Sequence, residues 1–401
     1  MKRFNYQAID SKTGKPVKGV IQADTERNAG KLLIEQGFVP QKVVEENTTG
    51  LFAKAKNRIT AKDRIVFTRQ FATLIGAGLP LANALRLLAE QTDAPGMKSV
   101  VEDLLANIEA GKSLTQACEA HPKVFDRLFL ALVSAGELSG TLDESLKRLA
   151  DQQEKDQAMI SRIRGAMIYP AIVLVVIIFV MIFMLVEVVP QVESLYKDLG
   201  EELPGMTKFL VAIANFIIHD WWLIVIILFV LTWMILNFRT TKSGIRVAAN
   251  IKLNIPMFKG LFHRLYNARF ARTAQILLMS GVPMIDVMSI SAESTANVVM
   301  QDNIVKASEK VKAGKSLSDA LEGVDYILPL VPQMAAIGEQ SGKIDEMLGR
   351  AATVYETELD EKINAISTMI EPVLMIFLAG MMVFMIGAIL MPIYSLVNSI
   401  G

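Results

Sequence analysis

Three runs in this chain carry no charge for long enough to cross a bilayer, and they dictate much of what it can fold into. Residues 165–186 separate Arg164 from Glu187, residues 221–238 separate Asp220 from Arg239, and nothing from Pro372 to Gly401 is charged. A spanning helix takes about 20 apolar residues, so the expected spans are 165–189, 221–238 and 372–396. Lys and Arg set the orientation. Lys147, Arg148, Lys155, Arg162 and Arg164 precede the first span, and Arg239, Lys242, Arg246 and Lys252 follow the second. The intervening segment, residues 187–220, has only Lys197 and Lys208 and is acidic. Positive charge marks the cytoplasmic side. The N-terminus and the regions flanking the spans are therefore expected inside, and the 187–220 segment and C-terminal tail outside. The opening "MKRFNYQAID" lacks the apolar core of a signal peptide. Phe209–Ile218 is apolar but too short to span alone, which leaves an interfacial helix or an extension of the second span.

The rest of the chain is a duplication. "AGKSL" stands at 110–114 and again at 313–317; Phe67 pairs with Phe270, and "GAGLP" (76–80) with "MSGVP" (279–283), all 203 positions apart. From "AGELSG" (135–140) and "IGEQSG" (337–342) onward the offset is 202, and it carries Pro170 to Pro372 and Pro190 to Pro392. Residues 60–190 and 263–392 are thus two copies of one unit, a helical bundle leading into an apolar segment. A period this long is a domain duplication rather than a solenoid.

The pentapeptide does not bind phosphate. A P-loop needs Gly five positions before the Gly of Gly-Lys-Ser; Ala106 and Glu309 stand there. Instead Gly111 and Gly314 close one helix, and Ser113 and Ser316 cap the next, with Gln116 and Asp319 three residues on. Thr60 with Asp63, and Thr141 with Glu144, match the same capping pattern, whereas Lys343 replaces Thr141 in the second copy. Pro80 and Pro283 suit a first helical turn.

Zero formal net charge gives no reason to expect a nucleic-acid partner. His121, His219 and His263 lie in separate segments without companions at metal-ligand spacing. Cys118 is alone, so no internal disulfide exists, and it reads as a small buried side chain. The best polar candidates are Glu137 and Glu339, each in a Gly-rich corner with Asp143 or Asp345 six residues later. Two readings are open: a site for a hard divalent cation, or carboxylates that accept backbone N–H bonds and meet helix dipoles. Glu187 and Glu371 border the first and third spans. Small-solute or ion transfer is the alternative function they raise, although the spans otherwise lack charge. In the third span Gly380 and Gly387 share a face, which suits either packing on another membrane helix or plain lipid exposure.

Ahead of the repeat, "FNYQAI", "VKGVIQA" and "FVPQKVVEE" read as strands around the helix "TERNAGKLLIEQ". The expected order is a small α/β module (1–46), a basic linker (47–58) and a first bundle with its span (59–164, 165–189). A loop carrying an interfacial helix (190–220), a second span (221–238), a second bundle (239–371), a third span (372–396) and a tail (397–401) follow. The fold class is mainly α, a polytopic membrane protein.

This arrangement resembles the type II secretion system protein F family, which includes the type IV pilus PilC platform proteins. The features that carry the resemblance are "FTRQFATLIGAGLPLANAL" and its echo "FARTAQILLMSGVPMIDVM", the two corners with Gly136, Glu137, Gly140, Gly338, Glu339 and Gly342, and the run Arg162, Ile163, Ala166, Met167, Tyr169, Pro170. The second copy keeps Pro372 and Pro392 and has Glu371 in place of Tyr169. The resemblance implies a platform in the bacterial inner membrane with no catalytic residues and no cofactor, its C-terminus periplasmic. It implies coupling of a cytoplasmic assembly ATPase to pilin or pseudopilin polymerisation, contact with other inner-membrane assembly components and the lipid bilayer, and homo-oligomerisation.

Overall fold

The computed structural model describes residues 2–10, 16–23, 26–35, 37–45, 58–199, 205–256 and 258–400. By contact the chain divides into two compact units, residues 1–71 with 79–112, and residues 72–78 with 113–401. The expected linker at 47–58 lies, except for Arg58, outside the described residues.

The first unit opens with the small α/β module. Strands β1 (Lys2–Asp10), β2 (Pro16–Ala23) and β3 (Phe38–Glu45) form an antiparallel sheet in the order β2-β1-β3. Helix α1 (Glu26–Glu35) packs chiefly on β3, with Leu33 and Ala8 buried. Pro40 is tolerated because β3 is an edge strand, and it faces Ala8 where the register slips between Gln7 and Ala8. In the same unit α3 (Leu81–Gln91) packs on α4 (Pro95–Glu109). Their buried residues, Leu85 and Leu88 on one and Met97, Val101 and Leu104 on the other, recur at helical spacing.

Helix α2 (Ala61–Gly76) starts in the first unit and ends in the second. It begins with the expected box: Thr60 N–H donates to Asp63 Oδ2 at 2.8 Å and Asp63 N–H donates to Thr60 Oγ1 at 3.2 Å. The second box is a correction. The Thr141 hydroxyl makes no cap bond and lies 2.7 Å from Ser139 Oγ, while Glu144 is taken by Arg148 at 2.9 Å. Pro80 and Pro283 serve as N-caps, one position before the expected first turn.

The second unit contains the end of the first copy and all of the second. Helices α5 (Leu114–Glu119), α6 (Arg127–Ser139) and α7 (Leu142–Phe183) follow one another. Cys118 is fully buried in α5. Burial first, and the nearby Glu137 charge second, push its thiol up to about 12, so it stays protonated and unreactive at neutral pH. In the second copy, α12 (Lys259–Met279) packs most extensively on α17 (Ile344–Ile400). The contact is close because Ala271, Ala351 and Ala352 are small and fully buried. Between them run α13 (Met284–Ser294), α14 (Val298–Lys312), α15 (Leu317–Leu321) and α16 (Leu330–Ser341). The wholly buried Asn267 binds the carbonyls of His263 and Tyr326, each at 2.8 Å, and the amide of Leu328 at 2.9 Å, which fastens the loop before α16.

Among the described residues three helical stretches are long and apolar enough to cross a membrane: within Leu142–Asp198, Trp221–Phe238, and within Ile344–Gly387. The first and third are not separate from their bundles. α7 and α17 run without a break from charged bundle into apolar span, through Pro170 and Pro372 respectively. α7 passes into a π-helical turn, Met184–Val188, and then α8 (Val189–Leu199). The middle span, α10 (Trp221–Phe238), has no buried residue; Phe229 and Trp233 point outward, as a lipid-facing surface requires. The short apolar segment is its own helix, α9 (Gly205–His219), broken from α10 at Asp220. It is neither a simple extension of the span nor an isolated surface helix: Leu210, Val211 and Ala214 are buried with Leu185, Val189 and Met385. Among the described residues a Cβ added at Gly380 or Gly387 would meet nothing within 4 Å, so neither is a site of close helix approach among them.

Candidate functional site

The duplicated corners come first. After α4 and α14, Gly111 and Gly314 take the left-handed conformation with φ of 85° and 89°. Ser113 then completes a capping box with Gln116, and Ser316 accepts from the amide of Asp319 at 3.1 Å. The helices so started receive a second cap from far along the chain. Glu137 Oε1 accepts from Leu114 N–H at 2.5 Å, and Oε2 from Thr115 N–H at 2.9 Å and the Thr115 hydroxyl at 2.5 Å. Glu339 repeats this with Leu317 N–H at 2.5 Å and the Ser318 hydroxyl at 2.5 Å. A carboxylate at a helix N-terminus satisfies donors that no carbonyl can reach and meets the positive end of the dipole.

The glycines of the same corner serve the helix pair. A Cβ at Gly136 would lie 2.8 Å from Ser145 Oγ and 3.0 Å from Leu142 Cα; one at Gly338 would lie 2.6 Å from Ile344 Cα. Gly140 and Gly342, with φ of 75° and 70°, then reverse the chain. The motif is therefore one device: a Gly for contact, a Glu for a remote cap, a Gly for the turn. The cation reading is not favoured, since both carboxylates are occupied by N–H and O–H donors. Among the described residues no group of three or more His, Cys, Asp or Glu side chains is placed to hold a metal. Asp143 and Asp345 sit in the first turns of α7 and α17, where the dipole argument puts them. Glu137→Ala is expected to destabilise the start of α5 by about 2 kcal/mol, and Glu137→Gln by about half as much because one acceptor survives. Amide exchange at Leu114 and Thr115 measures it.

Within the second unit, α6 and α7 of the first copy pack on α12, α13 and α17 of the second. Arg127 pairs with Glu293 at 2.5 Å, Arg148 donates to the Met279 carbonyl at 3.0 Å, and Arg162 pairs with Asp360. Deeper in this seam, Arg269 faces Asp156 at 3.4 Å. That spacing is long for a hydrogen bond, and Arg269 Nε and the Oε1 atoms of Gln152 and Gln153 have no hydrogen-bond partner. Burial raises the Asp156 carboxyl above its usual range, with Arg269 pulling the other way. Beside it, Arg272 holds Glu356 through two bonds, 2.9 and 2.7 Å, and also reaches Gln275 and Thr353.

In the sequence Arg148 and Arg162 stand out as basic residues before the first span, but nothing there pairs any seam residue with its partner. One indirect signal was there: at the two offsets of the duplication Arg272 corresponds to Arg69, and Glu356 to Glu154, the same residue types.

The spans of the two copies run side by side. Ala166 and Ile363 line the same two cavities at one end, and Met385 is buried with Leu185 and Val189 at the other. Glu371 lies near the first end and Glu187, in the π-helical turn, near the second. With Met385 level with Glu187, Glu371 lies roughly 20 Å away along the helices at 1.5 Å per residue, so the structure does not bring the two transporter candidates together. Tyr169 is exposed on α7 next to Pro170.

Two related helical bodies, each sharing a continuous helix with a span, define a duplicated helical membrane protein organised around charged corners and an ion-paired seam. The chain belongs to the type II secretion system protein F family. The model of type II secretion system (T2SS) protein F matches residues 67–190 and again 270–392, and that of its N-terminal domain matches residues 1–44. The chain is 34% identical to the type II secretion system protein F of Vibrio cholerae, over 99% of both chains. It is 35% identical to the type IV pilus assembly protein PilC of Myxococcus xanthus, over 99% of this chain and 96% of that one. It is 34% identical to the PilC of Thermus thermophilus, over 99% of both.

Proposed function

We propose that the chain is an inner-membrane platform of a type II secretion or type IV pilus assembly machine, and that it transmits movement rather than making or breaking bonds. The observation that carries this reading is the continuity of α7 and α17 from bundle to span. A helix that crosses the boundary without a joint conveys tilt or rotation of its bundle directly into the bilayer. The seam, with Arg162–Asp360 just before the spans, ties the two rods together. The Lys and Arg distribution supports cytoplasmic bundles and a periplasmic C-terminus. A cytoplasmic assembly ATPase is then the source of movement, pilin or pseudopilin subunits are its recipients in the membrane, and copies of the chain associate with one another. Whether the chain serves secretion or piliation does not alter the argument, since relatives at similar identity carry both names.

The test is to insert a flexible Gly-Ser segment between Arg164 and Gly165. The variant is expected to reach the membrane at normal levels yet abolish secretion or piliation, and the purified protein to hydrolyse no ATP on its own. Full function with the joint inserted would overturn the reading.

A further inference from the structure

At the bundle end of the spans lies an apolar cavity of about 320 Å³ that nothing in the mechanical reading uses. Ala166 and Met167 of α7, Phe258 and Phe262 around the start of α12, and Ile366 of α17 line it. Its one charged lining residue is Lys252, in the last turn of α11 (Lys242–Asn254), which has no acidic partner among the described residues.

Two features place this cavity at the membrane surface. Ala166 and Met167 are the second and third residues of the charge-free run in α7. On the other side, α11 is bound to the end of α10. Thr241 Oγ1 donates to the Phe238 carbonyl at 2.7 Å and accepts from Gly244 N–H at 3.0 Å, and a Cβ on Gly244 would fall 1.7 Å from the Phe238 oxygen. A helix so pinned leaves the bilayer and turns at once. Ile245, Val247 and Ile251 are exposed on it, as is Ile255 just beyond its end, and Arg239, Lys242 and Lys252 supply positive charge around them. That is the composition of a helix lying in the headgroup region.

We propose that this cavity is a binding site for one anionic phospholipid, an acyl chain among the aromatic and aliphatic side chains and the headgroup phosphate at Lys252. The inference rests on α7, α10 and α17 crossing the bilayer. Position decides between occupants: the cavity lies where the charge-free run of α7 begins and beside the end of the fully exposed α10, so an acyl chain reaches it directly from the bilayer. Charge decides between lipids, because the lone lysine and its basic neighbours favour a net-negative headgroup. A lipid bound there would also wedge between α7 and α12, beside the contact at which both rods enter the membrane.

The full chain in detergent, supplied with dioleoylphosphatidylglycerol or dioleoylphosphatidylcholine, would be examined by native mass spectrometry. The expected result is one retained phosphatidylglycerol per chain, preferred about fivefold over phosphatidylcholine. Lys252→Gln, an exposed change that leaves the core untouched, should erase the preference. Ala166→Phe, which fills the cavity, should lower retention of both lipids. If Ala166→Phe does not fold, Lys252→Gln still decides. Equal retention of the two lipids by the unmodified chain, or an unchanged preference in Lys252→Gln, overturns the proposal. So does dihexanoylphosphatidylglycerol held as well as the long-chain lipid, which would mean that the headgroup alone binds. A dimer unaffected by lipid, with no lipid retained, would assign the cavity to a second copy and overturn it as well.

Discussion

Arg272→Ala is expected to destabilise the contact between α12 and α17 by about 2 kcal/mol, between the cost of breaking an exposed pair and that of stranding one partner of a fully buried one. The Arg272 side chain is 12% exposed and that of Glu356 23%. Both guanidinium–carboxylate bonds are short, and Gln275 and Thr353 take two more of the arginine's five N–H donors. Removing the arginine strands Glu356 in a place where water reaches poorly. The charge-free double variant Arg272→Met with Glu356→Leu should recover most of the loss, since well-packed apolar residues replace buried pairs at little cost. An exposed pair such as Arg86–Glu109, at 56% and 48%, should change by less than about 1 kcal/mol when broken. Because the chain has two compact units and membrane spans, a single melting midpoint is not well defined. Amide exchange read helix by helix is the suitable measurement. Exchange in α12 and α17 that stays at the level of the unmodified chain in Arg272→Ala would refute the assignment.

What could be read from the sequence was local or periodic. The spans follow from composition, the copies from their offset, and the boxes at Thr60 and Ser113 from partners three residues apart. The features that sequence reading missed are those whose partners are distant. Glu137 was legible as an acceptor of backbone N–H bonds, but its donors lie more than twenty positions earlier, so nothing near it in the chain names them. The Thr141 box failed for a related reason: its glutamate had a better partner one helical turn on, Arg148, which the seam also holds against Met279. The same holds for α9, whose apolar face suggested lipid until the π-helical turn and Met385 were seen to cover it. The Arg272–Glu356 pair was accessible in principle, because a duplication that preserves an Arg and a Glu at fixed offsets points to a shared contact.

The two corners are the same motif, but they tolerate change differently. At Gly338 the three atoms nearest an added Cβ are all backbone of the next helix's start: Ile344 Cα at 2.6 Å, Ile344 N at 3.1 Å and the Lys343 oxygen at 3.2 Å. Backbone cannot rotate aside as a side chain does, so α16 and α17 must separate. Separation would pull Glu339 away from Leu317 and Ser318 as well. Gly338→Ala is therefore expected to cost about 3 kcal/mol, at the upper end of ordinary overpacking, and to raise exchange in α15, α16 and the start of α17 together. At Gly136 the closest atoms are the hydroxyl and Cβ of Ser145, and the hydroxyl can change rotamer. Gly136→Ala should cost about 1–2 kcal/mol, and much of that should return when Ser145→Gly removes the obstacle. No second change short of moving the backbone relieves Gly338. Equal losses at the two glycines, or a Gly136→Ala variant that Ser145→Gly fails to rescue, would show that the corners are not held by the close approaches described.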